Sequence, residues 1–228
     1  GRAIHKLDGG HAGYINSVEF SPDGKQLLTA SDDGTARLWD VQSGKATGVI
    51  FKGHTARILS ASFSPDGTRV LTVSGDKTAR LWDPATGNPV GEPLTGHSWA
   101  VLCGEFSADG QRIITGSQDK TAIIWDAATG KKLVALEGHS ASITSAAFSP
   151  DGTRAVTGSQ DNSAKLWDAA TGKEILSLPG HTQEVTSVSF SPDGRNVLTS
   201  SRDGTAIIWL ANEWRSGEKK VAGLVRRP

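Results

Sequence analysis

The sequence predicts an all-β chain built from five copies of one four-stranded antiparallel unit. Three observations carry this. Tryptophan returns at Trp39, Trp82, Trp125, Trp167 and Trp209, at intervals of 43, 43, 42 and 42 residues. A Gly-His pair keeps the same register, with His11, His54, His97, His139 and His181 each 28 residues ahead of its tryptophan. The 27 glycines fall at turns, and the runs between them are too short for amphipathic helices.

The first strand of each unit ends in a segment such as Ser17-Val-Glu-Phe20 or Ser60-Ala-Ser-Phe63. Ser-Pro-Asp-Gly follows at Ser21, Ser64, Ser149 and Ser191, with Ser107-Ala-Asp-Gly as the variant. Proline presets φ and glycine accepts φ > 0, so this is a hairpin turn with a mechanism. The second strand runs through segments such as Arg112-Ile-Ile-Thr115, and a tight turn then carries Asp33, Asp76, Asp119, Asp161 or Asp203. The third strand is Thr-Ala-Arg-Leu-Trp-Asp or a relative of it. A turn such as Ala-Thr-Gly leads into a fourth strand, for example 131–136, and so to the next Gly-His.

Four antiparallel strands every 42 or 43 residues make the blade of a β-propeller, in which blades pack radially and cover both sheet faces. Gly-His, a turn aspartate and a terminal Trp-Asp at this period resemble the WD-repeat family. The resemblance spans residues 1 to about 209, and repeat 5 departs from it at Trp209-Leu210. The units read as an N-terminal strand at 1–9 completing a blade, then repeats at 10–52, 53–95, 96–137, 138–179 and 180–209. A divergent basic tail at 210–228 resembles 129–136 and supplies a candidate fourth strand for repeat 5.

Composition excludes several classes. The 24 basic and 24 acidic residues cancel, so the whole chain offers no electrostatic argument for nucleic acid or a membrane surface. No stretch approaches the ~18 apolar residues of a membrane-spanning helix. Cys103 is the single cysteine, which rules out an internal disulfide and fits a reducing, cytoplasmic setting. The sequence lacks methionine and opens at Gly1, which reads as an excerpt of something longer.

Histidine, aspartate and hydroxyls in every unit superficially suggest a Ser/Thr-His-Asp nucleophile. A catalytic site is needed once, whereas these residues recur five times, so they read as scaffolding. The resemblance implies a buried network in each blade: His11, Thr29, Asp33, Trp39; His54, Thr72, Asp76, Trp82; His97, Thr115, Asp119, Trp125; His139, Thr157, Asp161, Trp167; and His181, Thr199, Asp203, Trp209. Cys103 takes the inner-strand position of Ser17, Ser60, Ser145 and Ser187, where a small residue is needed. His5 has no metal partners at ligand spacing, and no Gly-rich run ends in Gly-Lys-Ser/Thr. No catalytic residue, metal or cofactor is expected.

The resemblance also implies a docking face formed by the Gly-His loops and the Asp turns. The positions there that vary between repeats are Tyr14, Asn16, Asp32, Arg57, Leu59, Gly75, Ala100, Leu102, Gln118, Ser142, Thr144, Gln160, Glu184, Thr186 and Arg202. Trp99 adjoins them and is not required by the framework. Trp, Tyr and Arg dominate interface hot spots, and the mixed charge argues against a phosphate backbone. The expected function is therefore a non-catalytic interaction scaffold for a protein or peptide, of the kind found in multidomain signalling proteins. No small-molecule substrate, nucleic acid or membrane partner is expected. An enzyme built on a propeller body and a purely structural or engineered segment are the alternatives.

WD-repeat propellers usually close with seven blades. Counting strands gives about twenty-one, one more than five closed blades require. The reading is a larger propeller, or one completed by further blades from the parent chain or another chain.

Overall fold

A computed structural model of the chain describes residues 1–210. It contains eighteen strands and no helix among the described residues, arranged as five antiparallel sheets. Blade 1 is β1 (Ile15–Phe20), β2 (Gln26–Ser31), β3 (Thr35–Asp40) and β4 (Ala46–Lys52). Blade 2 is β5 (Ile58–Phe63), β6 (Val70–Ser74) and β7 (Ala79–Trp82). Blade 3 is β8 (Val101–Phe106), β9 (Arg112–Ser117), β10 (Ala122–Asp126) and β11 (Lys132–Leu136). Blade 4 is β12 (Ile143–Phe148), β13 (Arg154–Ser159), β14 (Ser163–Asp168) and β15 (Glu174–Pro179). Blade 5 is β16 (Val185–Phe190), β17 (Asn196–Ser201) and β18 (Ala206–Leu210). Strands pair in sequence order within each sheet.

Alternation of side chains explains why single blades cannot stand alone. Ile113 and Ile114 point to opposite faces of β9, yet both are fully buried. Ile113 and Ile123 pack back against Leu71 and Leu81 of blade 2, while Ile114 and Ile124 pack forward against Ala146 and Phe148 of blade 4. Each such side chain gains about 1.5–3 kcal/mol only when a neighbouring blade is present. Blades approach closely at their inner strands. A Cβ on Gly116 would lie 2.5 Å from the Ile143 side chain of the next blade.

A second device joins blades 2 to 5. Arg69 donates to the Gly110 and Ala127 carbonyls of blade 3, both at 2.8 Å, and its guanidinium carbon lies 5.5 Å from the Phe106 ring centroid. Arg112 donates to Gly152 at 2.6 Å over Phe148, and Arg154 donates to Gly194 at 2.9 Å over Phe190. Each arginine thus clasps the Asp-Gly turn and the strand-ending phenylalanine of the following blade. Blade 1 has Gln26 at this position, and its junction with blade 2 instead places Phe51 against Trp82, 5.9 Å between ring centroids.

The turn after the second strand needs a left-handed residue in every blade. Gly34 and Gly204 take it at φ 78° and 83°, whereas Lys77, Lys120 and Asn162 hold φ of 74°, 74° and 70°. The network around the adjacent aspartate holds those three in a conformation that is uncommon for residues with a Cβ.

Two expectations need correcting. Repeat 2 lacks a continuous fourth strand: residues 88–94 form two bridges only, Trp82 with Pro89 and Ala79 with Leu94. Pro89 and Pro93 have no N–H to offer a ladder, which interrupts it. Residues 1–9, expected to supply a strand, form none here. They are expected to complete a blade other than blade 1, and here His5 Nε2 lies 3.0 Å from the Gln42 carbonyl. The expected strand in the basic tail falls within 211–228, outside the described residues.

The stack of blades is open at both ends. Phe20 is 60% exposed on the back face of blade 1, against 6% for Phe63 at the same position in blade 2. Ile208, on the forward face of blade 5, is 72% exposed, while its counterpart Ile124 is fully buried.

Candidate functional site

Each blade carries one polar cluster where its Gly-His loop meets its Asp turn. In blade 3, His97 Nδ1 lies 2.9 Å from Asp119 Oδ2, His97 Nε2 lies 2.8 Å from Thr115 Oγ1, and the Trp125 indole N–H donates to Thr115 Oγ1 at 2.8 Å. Blades 1, 2, 4 and 5 reproduce this. Their His-Asp distances are 2.9, 2.8, 2.7 and 3.0 Å. Their His-Thr distances are 2.8, 2.7, 2.9 and 2.8 Å. The indoles of Trp39, Trp82 and Trp167 donate to their threonines at 2.8 Å, and that of Trp209 at 3.0 Å.

Donor logic fixes the proton order. An indole N–H can only donate, so the threonine oxygen accepts it and gives its own proton to Nε2. Nδ1 then carries the remaining proton and donates it to the carboxylate. Burial pushes the His97 and His139 pKa values down, against the opposing pull of Asp119 and Asp161, and favours neutral rings. Burial alone would raise the Asp161 carboxyl. Hydrogen bonds from Ser163, the Ser140 N–H and His139 outweigh it and hold the carboxyl at about 2. The same balance holds Asp33 and Asp76 well below the usual carboxylate range.

This geometry is unsuited to nucleophilic chemistry. Thr72, Thr115, Thr157 and Thr199 are fully buried and Thr29 is nearly so, each with an indole donor on its oxygen. No reacting carbonyl could reach them. Cys103 is half-buried at the blade 3–blade 4 junction, and burial pushes its thiol up to about 12. Among the described residues no His/Cys/Asp/Glu group could hold a metal ion.

One member of each cluster escapes the sequence reading. Thr35, Thr78, Thr121, Ser163 and Thr205 donate to Oδ1 of their aspartates at 2.6–2.7 Å. The signal is a hydroxyl two residues after every turn aspartate, at the first position of the third-strand motif. The N–H following each histidine, such as Ser98 N–H to Asp119 Oδ2 at 2.9 Å, is a further donor.

The expected docking residues divide into two groups. Several are engaged within the scaffold. Asn16 donates to Asp32 at 2.7 Å and to the Ile58 carbonyl of blade 2 at 2.9 Å. Thr144 donates to the Val185 carbonyl of blade 5 at 2.5 Å, Thr186 pairs with Ser200, and Arg202 forms an ion pair with Glu184. Leu59, Gly75, Ala100, Leu102 and Ser142 are partly buried. Tyr14, Arg57, Gln118 and Gln160 remain exposed, as does Trp99 at 62%. Trp99 borders a shallow open depression on blades 3 and 4, lined also by Ser98, Gln118, Asp119, Lys120 and Ser142.

Comparisons with known proteins agree with the repeat. The WD domain, G-beta repeat family matches residues 1–40, 45–83, 87–126, 130–168 and 172–209. A guanine nucleotide-binding protein subunit beta from Oryza sativa subsp. indica is 63% identical over 35 residues, 15% of this chain and 9% of that protein. WD repeat-containing protein 86 from Homo sapiens is 50% identical over 40 residues, 18% of this chain and 11% of that protein. WD repeat-containing protein 38 from Mus musculus is 54% identical over 37 residues, 16% and 12%. The chain therefore spans only about a tenth of the length of these relatives, and the likeness amounts to single repeats. With five family matches in register and the same polar cluster in every blade, the chain belongs to the WD domain, G-beta repeat family.

Proposed function

We propose that this chain is a non-catalytic scaffold that binds a protein or peptide segment on the face formed by its Gly-His loops and Asp turns, with Trp99 as the anchor. The observation that carries this reading is the exposure of Trp99 beside an open depression, at a position where the framework requires no aromatic. A large aromatic left in water has much to gain on burial against a partner. Arg57 and Tyr14 extend the surface across blades 1 and 2. Arg57 and Lys120 against Asp32 give this face both charges, which suits a polypeptide better than a phosphate backbone. A regulatory part within a signalling protein is the setting we infer, supported by the name of the guanine nucleotide-binding relatives. The single cysteine, Cys103, supports a cytoplasmic location.

A library of displayed linear peptides selected on the whole chain tests the reading. Enriched peptides are expected to bind Trp99→Ala at least about tenfold more weakly, the equivalent of 1.4 kcal/mol, and Arg57→Ala less well. Peptides that bind both variants like the parent would place recognition elsewhere.

A further inference from the structure

On the face formed by the Gly-His loops and Asp turns, the anions are engaged and most of the cations are not. Between each Gly-His pair and its first strand, and in each Asp turn, every acidic side chain has a donor within the chain. The five turn aspartates take the hydrogen bonds of their clusters, Asp32 accepts from Asn16 at 2.7 Å, and Glu184 is paired with Arg202. Arg57, Lys77 and Lys120 are exposed there and have no side-chain hydrogen bond or ion pair among the described residues. Lys77 and Lys120 both hold φ of 74°, in the left-handed position that Gly34, Asn162 and Gly204 fill in the other blades. That conformation suits glycine or asparagine better than lysine, and neither lysine bonds the aspartate before it. Arg57 runs beside Gly75, where a Cβ would stand 3.5 Å from Arg57 Cγ, so it lies at the turn that carries Lys77. Two exposed aromatics flank these cations, Tyr14 in blade 1 and Trp99 beside Lys120 at the depression of blades 3 and 4.

We propose that the loop face takes an acidic peptide segment, whose carboxylates meet Arg57, Lys77 and Lys120 between the two aromatics. This rests on the reading that the loop face binds a polypeptide, and it names the kind. With its carboxylates engaged and three cations free, the face can make charge-assisted hydrogen bonds to an incoming chain only as the donor. Among the side chains of a polypeptide, ionised Asp and Glu are the acceptors that answer with charge. A basic segment would meet three like charges and no acidic side chain without a donor. A nucleic-acid strand is the other polyanion. Its phosphates would continue beyond blades 2 and 3, over Asp32 of blade 1 and Glu184 of blade 5, where no free cation follows them. A short acidic run can end where the cations end.

Random displayed peptides selected on the full chain are the probe, with single-stranded oligothymidylate as the competing polyanion. The enriched peptides are expected to carry an excess of Asp and Glu. Their affinity should fall at least about tenfold in the triple variant Arg57→Gln, Lys77→Asn, Lys120→Asn, and severalfold as salt rises from about 50 to about 300 mM. Asparagine already occupies this turn position at Asn162, so the substitutions keep the turn, and circular dichroism verifies the fold. Peptides weakened by Trp99→Ala but without an acidic excess, or indifferent to the triple variant, would overturn the proposal and leave the peptide-binding reading standing. Acidic peptides lost in the triple variant yet indifferent to Trp99→Ala would uphold the acidic partner and remove Trp99 as the anchor of that reading. A selection yielding no peptide sensitive to either variant overturns both. Oligothymidylate bound more tightly than any peptide, and released by the triple variant, overturns the acidic peptide in favour of a nucleic acid.

Discussion

The hydroxyl oxygen of Thr115 is held at 2.8 Å from the indole nitrogen of Trp125, and both groups are out of reach of water. That oxygen also serves His97, so one small side chain satisfies two buried nitrogens. Thr115→Val keeps the shape and removes the oxygen. We expect a loss of about 1–3 kcal/mol for each nitrogen left without a partner, measured by urea unfolding. Thr115→Ser should retain most of the stability, and a valine variant as stable as the serine variant would contradict the hydrogen-bond account.

Acid should unfold the chain in two stages. The depressed pKa values of His97 and His139 mean that the unfolded state takes up protons first, below about 6.5. Their contribution is present above that pH and is lost as pH falls through the folded values. Asp161 behaves in the same direction at lower pH. Its contribution is present above about 3.8, the unfolded value, and fades as pH falls towards about 2. Urea midpoints between pH 7 and pH 2 should therefore decline, and Asp161→Asn should flatten the lower stage.

Glu105 works against that trend. Burial pushes its carboxyl up to about 7, with Glu19 adding to the rise, while the Phe148 N–H of blade 4 donates to it at 2.8 Å. A raised carboxyl binds its proton more tightly when folded, so stability falls as pH rises from about 4.5 to about 7. Glu105→Gln can still accept from Phe148 and carries no charge. It should be more stable than the parent at pH 8 and little different at pH 5. Equal stability at pH 8 would show that the carboxylate is already well solvated.

The thiol of Cys103 should react sluggishly in the folded chain. Its acidity is suppressed to about 12 by burial, with a smaller contribution from Glu105, so little thiolate forms at pH 8. Ellman's reagent is expected to react slowly with the folded chain and faster in urea. Immediate stoichiometric reaction of the native chain would contradict this.

The repeat and the polar clusters could be read from the sequence because each depends on side chains at fixed spacings within one unit. His97, Thr115, Asp119 and Trp125 announce themselves by recurring. The arginine clasp could not be read in this way. Arg69, Arg112 and Arg154 share a register, 13 residues ahead of their tryptophans, but half of their partners are backbone carbonyls in the next unit, which have no letter. The interrupted fourth strand of repeat 2 was signalled by Pro89 and Pro93 and hidden by the strength of the surrounding pattern. On the loop face, sequence variation did not separate side chains free to bind, such as Trp99, from those spent on a neighbouring blade, such as Asn16 and Thr144.

The direction of the clasp gives these near-identical units a grammar. Every guanidinium reaches forward and every ring receives from behind, so the string has a head and a tail at each joint even though its sheets look alike. Shuffling the five units would preserve each fold and yet break sentences: a unit beginning with Gln26 or Asn196 is a weak antecedent for any phenylalanine that follows. Genes that grow by duplicating such units would keep only those insertions in which the word order still agrees.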